Sequence, residues 1–167
     1  MSTIYHLLVI ILLVNSQLIS QGVKTRWVDD ISTDSKLDDP DFKICNQEDQ
    51  IIQYFNNGQG MEYIGGKYKL DSFFYSNYKF VLNSKESGLI RIRFVVNCKG
   101  GTGRFRMIAS DNQYKEKVFD PAISQQLISI SKKLDGWIPK QWKNTNVDYY
   151  QYLIFKIENG KLVQILP

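Results

Sequence analysis

The chain holds one histidine, His6, and two cysteines, Cys45 and Cys98, in 167 residues. His6 lies just ahead of an apolar run, Leu7 to Val14. That run is shorter than the ~20 apolar residues a membrane-spanning helix needs, and it suits the core of a secretory signal peptide. Small residues at Ser16, Ser20 and Gly22 offer cleavage points, so residues 1–22 read as a signal peptide and the product as periplasmic or otherwise exported. No Lys or Arg precedes the run, which leaves an uncleaved inner-membrane signal anchor as the alternative. Removal of the leader removes the only histidine. Ser–His and Cys–His nucleophile pairs and imidazole zinc sites are then excluded, and two cysteines cannot close a zinc site by themselves.

A large excess of charge of either sign is also lacking. The net charge of +4 is mild and gives no reason to expect nucleic acid. It is unevenly placed, since Asp29 to Asp49 is acidic, and residues 23–45 read as a polar, acidic linker ahead of a domain over 46–167. Asp34, Asp38, Asp39 and Asp41 invite a calcium reading, but the loop Gly and terminal Glu of such sites are missing, so solvated carboxylates are expected. Asp111, Glu116, Asp120, Asp135, Asp148 and Glu158 are the carboxylates further on, and nothing in their spacing pairs two for acid–base work. No catalytic residue, cofactor or metal is expected.

What the chain does contain is alternation. Ile90, Ile92, Phe94, Val96 and Cys98 recur every second residue, the period of a half-buried strand. After the Gly-rich turn at Lys99 to Gly103, Phe105, Met107 and Ala109 repeat the pattern, so a hairpin with Asn97 opposite Arg104 puts both apolar sets on one face. The other face then carries Arg91, Arg93, Arg104 and Arg106 around Val95 and Ile108. Such a face either grips anionic material or is a solvated surface whose arginine stems cover the two apolar residues.

A cover for the apolar face follows. Asp120-Pro121 marks a helix start, Ile123, Leu127, Ile130 and Leu134 recur at helical spacing, and Gly136 with Pro139 ends the helix. A third strand runs from about Val147 to Ile157. Asn159-Gly160 then predicts a tight hairpin into a last strand, Leu162 to Leu166. Upstream, Asn46 reads as the cap of a short helix, and Leu70, Phe73 and Phe74 indicate another ending near Asn77. Trp137 falls among core positions, whereas Trp142 stands in a polar loop. The fold expected is α+β: a small antiparallel sheet in the order strand, strand, helix, strand, strand, with helices on one face. In an oxidising compartment a Cys45–Cys98 bond is one reading of the cysteines; a free, inward-facing Cys98 is the other.

Gly65-Gly66, Phe73-Phe74, the strand from Gly88 to Val96, Phe119-Asp120-Pro121-Ala122, Trp137-Ile138-Pro139 and Leu153-Ile154-Phe155 come in an order that resembles the TonB C-terminal domain family. The likeness covers about Tyr63 to Ile157, and Tyr78-Lys79 departs from the family's Tyr-Pro. The resemblance implies a periplasmic, non-enzymatic module that accepts an extended segment of an envelope protein, such as an outer-membrane transporter, along a sheet edge. Residues 21–41 stretch at most ~70 Å and contain one proline, too little for the stiff spacer of an energy transducer. The third strand would be the family's docking edge, but the Asn159-Gly160 hairpin pairs it with the last strand. Tyr150, Tyr152, Leu162, Gln164 and Trp142 are accordingly the candidate partner-binding residues. A structural envelope protein that binds anionic material through the arginine face, or a small carboxylate-dependent enzyme, are the alternatives.

Overall fold

The computed structural model describes residues 30–53 and 61–166. The expected signal peptide and the start of the expected linker lie outside the described residues. From Ile31 onward the chain forms one compact unit.

In chain order this unit contains a 3-10 turn (Glu48–Gln50), helix α1 (Gly66–Asn77), strands β1 (Gly88–Val96) and β2 (Thr102–Ser110), and helix α2 (Pro121–Lys132). Short strands β3 (Lys140–Trp142) and β4 (Thr145–Val147) and longer strands β5 (Tyr149–Glu158) and β6 (Lys161–Leu166) follow. The main sheet has the order β2-β1-β5-β6 with every neighbouring pair antiparallel. The α+β architecture read from the sequence is therefore the one observed, with β3 and β4 added as a separate hairpin.

Local chemistry accounts for the elements. The Asp120 carboxylate accepts the Ala122 N–H at 2.7 Å, and Pro121 at the first helical position forfeits no bond, so α2 begins there. Its Ile123, Leu127 and Ile130 are buried against the face formed by Ile90, Ile92, Phe94, Leu153, Phe155 and Ile157. α1 adds Leu70 and Phe74, the latter 4.7 Å from the Phe155 ring centroid. Trp137 closes one end, edge-on to Phe94 and Tyr63 at 5.2 Å each. Asn159 and Gly160, at φ 49° and 77°, make the expected tight turn between β5 and β6.

Three expectations need correction. The β1–β2 register lies two residues from the expected one: Arg93 pairs with Arg106, and the Asn97 N–H donates to Gly101 across the turn. The turn closes three positions tighter than expected, with Val96 on Thr102, and a bulge in which Arg104, at φ 56°, and Phe105 share the place opposite Phe94 gives one position back. A shift by two preserves the faces, so Met107 and Ala109 still stand beside Ile92 and Ile90. The short helix expected from Asn46 is only the turn at Glu48–Gln50, after which Ile52 bridges to Tyr149; residues 54–60 lie outside the described ones. The largest correction concerns the acidic linker. Residues 31–45 do not run free but cross the second face of the sheet, because that face offers both cations and apolar surface to bury. Among the described residues no helix is long and apolar enough to cross a membrane.

Candidate functional site

The arginine face is not open. Ile31 and Ile51 are buried against Val95 and Tyr150, with Phe42 and Ile44 packed around them, in a second small core. Gly103 makes room for this strap, since a Cβ there would stand 2.2 Å from the Phe42 ring. Arg104 donates to both carboxylate oxygens of Glu48 at 2.6 and 2.7 Å and to the Ile31 carbonyl at 3.4 Å. Arg106 does the same with Asp38 at 2.6 and 2.9 Å and with the Ser32 carbonyl at 2.8 Å. Two-pronged bonds of this kind are the stronger class of charged contact. The Arg106 bonds hold the Asp38 carboxyl below its ordinary range, and the Arg104 bonds do so for Glu48 and raise Arg104 in turn. The Asp38 side chain is 7% exposed and that of Glu48 60%, so solvent screens the second pair far more. Arg91 lies over the Tyr152 ring at 4.3 Å, and burial, aided by Arg93, lowers its pKa. The anionic ligand that a bare arginine face invites is thus replaced, at Arg104 and Arg106, by the chain's own carboxylates.

Cys45 and Cys98 form a disulfide with a Cα separation of 5.9 Å. Beneath it Asp148 is fully buried and accepts the backbone N–H groups of Cys45, Asn46 and Cys98 and the Asn46 side-chain amide, at 2.8 to 3.1 Å. One carboxylate therefore ties both ends of the cross-link to the start of β5. Among the described residues this is the one grouping of cysteine and acidic ligand atoms close enough to meet on a metal ion. Its sulfurs are bonded to each other and its carboxylate to N–H donors. Sequence spacing alone did not single out Asp148.

Of the candidate partner-binding residues, Tyr150 (6% exposed) is covered by the strap and Leu162 (4%) lies in the main core, so neither faces a partner. Tyr152 is half-buried under Arg91, whereas Gln164 and Trp142 are exposed. Trp142 stands on the β3–β4 hairpin, whose turn residues Lys143 and Asn144 adopt φ 49° and 63°. The expected polar loop is thus a braced finger.

The sheet has two margins. On β6, the Tyr75 hydroxyl donates to the outward carbonyl of Val163 at 3.3 Å, beside the exposed Gln164. On β2, the Ala109 carbonyl points away from β1 and accepts the Lys117 N–H, while the Phe105 carbonyl accepts from the Arg106 guanidinium. Met107, two residues from Ala109 in unbroken ladder, directs its backbone groups the same way. It is 38% exposed, and no described residue takes those groups. Along the first half of β2 a small pocket of about 140 Å³ is lined by Leu37, Asp38, Asp39, Lys132 and residues 102–105. Met107 was legible in the sequence only as a core position, because its backbone direction follows from pairing and not from side-chain type.

Comparison with known proteins finds no family model, no curated protein and no solved structure that matches this chain.

Proposed function

We propose that this chain is an exported, non-enzymatic module of the TonB C-terminal type, resident in the periplasm, that docks an extended segment of an envelope protein as an added strand. The observation that carries the reading is the outer margin of β2 at Met107, where an outward N–H and C=O remain untaken among the described residues. β6 already occupies the side of β5 that the family resemblance would use, which favours the opposite margin. Leu37 (62% exposed) and Val118 (90%) provide apolar surface for alternate side chains of such a segment. The reading in which bare arginines bind anionic envelope material loses support, since Arg104 and Arg106 hold Glu48 and Asp38.

The test uses the direction of one N–H. Proline at 107 removes a donor that faces outward and leaves the β1 ladder intact, which an edge strand tolerates. A photo-crosslinking residue at the exposed position 118 in the intact envelope is expected to capture a protein, and adding Met107→Pro to that chain is expected to abolish the capture while the far-UV spectrum stays unchanged. Capture by neighbouring positions that survives Met107→Pro would refute strand addition at this margin.

A further inference from the structure

A different surface lies at the end of the sheet where β1 stops and β5 starts. Tyr63 and Trp137 form an antiparallel bridge and turn inward; Ile64 donates to Gly136 at 2.7 Å and Ile138 to Glu62 at 3.0 Å. Side chains next to an inward pair point outward, so Ile64 (60% exposed) and Ile138 (42%) share the outer side of the bridge. Tyr68 (86% exposed) stands on the first turn of α1, which begins two residues after Ile64. Trp142 (61%) stands on the hairpin that begins two residues after Ile138. The turn from Asn97 to Gly101 belongs to the same end. Gly100 abuts the Trp137 carbonyl and Pro139, and the Asn146 amide donates to the Cys98 carbonyl at 3.3 Å.

Charge surrounds this apolar ledge unevenly. Lys69, Lys99 and Lys143 are exposed, and no described carboxylate pairs with them. The nearby acids are mostly spent: Glu62 is held by Lys140, Asp71 by Lys67, and Asp148 is buried under the disulfide, while Asp135 stands exposed beside Gly136. Two isoleucines, a tyrosine and a tryptophan ringed by free ammonium groups match the boundary of an anionic bilayer. There, amphipathic rings sit at headgroup level and lysines meet phosphate.

We infer that this end of the molecule is a peripheral contact for anionic phospholipid, with Trp142 as its anchor. A protein docking site of the same size would bury its central anchor among groups that exclude water and would not need three unpaired lysines at the rim. Here the lysines stand on three separate elements, Lys69 on α1, Lys99 in the β1–β2 turn and Lys143 in the β3–β4 turn, so each can reach a headgroup without a fitted counterpart. Strand addition at Met107 uses other residues, and the two readings stand or fall separately.

The experiment is flotation of the exported chain with vesicles of phosphatidylcholine alone, or of phosphatidylcholine and phosphatidylglycerol in equal parts. Binding is expected to the anionic vesicles only and to weaken as salt is added. Trp142→Ser is expected to lower the partition about tenfold, and Lys143→Gln or Lys99→Gln about fivefold each. Tyr68→Ser, at an exposed helix position, is an independent variant that leaves the hairpin untouched. The proposal is overturned if the anionic vesicles bind no more than the neutral ones. It is equally overturned if Trp142→Ser and Tyr68→Ser both bind as the parent does, or if crosslinks from position 142 in the envelope recover a protein and no lipid.

Discussion

The two faces of the sheet are covered by different means. On one, two helices bury a continuous apolar layer that includes Phe74, Phe94, Leu127, Leu153 and Phe155, a contact that depends on area and shape. On the other, a segment with little regular structure lies across arginines and is fastened at points: two guanidinium–carboxylate pairs, one disulfide and a buried aspartate. The first mode tolerates no missing volume. The second buries a smaller apolar cluster and depends in addition on charge state and redox state. One sheet thus carries a permanent core and a conditional cover.

The comparison can be broken most severely on the helix side. Leu127→Ala, at a fully buried position, is expected to cost about 2–5 kcal/mol in denaturant unfolding, since the rigid layer leaves a cavity. A cost below 1 kcal/mol would mean that the helix layer is loosely packed. On the strap side, replacing both Cys45 and Cys98 by Ser is expected to cost ~2–4 kcal/mol. Hydrogen exchange would show the loss concentrated in residues 31–53, with the α2 amides still protected. The smallest effect tests charge. Asp38→Asn is expected to cost about 1–2 kcal/mol. Asp38 and Glu48 are depressed from ordinary values of 3.8 and 4.5, so their contribution is complete above those values and is lost as the pH falls through the lower, folded ones. Hydrogen exchange over residues 31–45, corrected for the intrinsic pH dependence, should therefore quicken below about pH 4, before the helix layer yields; simultaneous loss of both layers would refute the division.

The helix face was legible because its residues repeat. Alternation from Gly88 to Cys98 and helical spacing from Ile123 to Leu134 each define one side, and Asn159-Gly160 defines a turn. The strap was not legible, because Ile31, Phe42, Ile44 and Ile51 follow no period and are interspersed with aspartates that read as solvated. The signal was indirect: Val95 and Ile108 on a cationic face needed cover, and acids upstream could neutralise Arg104 and Arg106. The register missed by two because the glycine-rich turn closes tighter than its length suggests, and the bulge at Arg104 that restores the faces leaves no trace in composition. The β3–β4 finger was missed because Lys143-Asn144 is a weaker turn signal than Asn-Gly. Of the candidate site, Trp142 and Gln164 were found at the surface, while Tyr150 and Leu162 alternate with strand residues whose burial depends on what lies beyond the sheet.

The aspartate under the disulfide also has a temporal consequence. Synthesis delivers Cys45 and Cys98 well before Asp148, which follows the second cysteine by 50 positions. A loop whose ends are 53 positions apart can close while the anion that steadies it is still to come. In the finished fold the carboxylate grips N–H groups beside both cysteines, so the cross-link and the entry of the fifth strand hold one another in place.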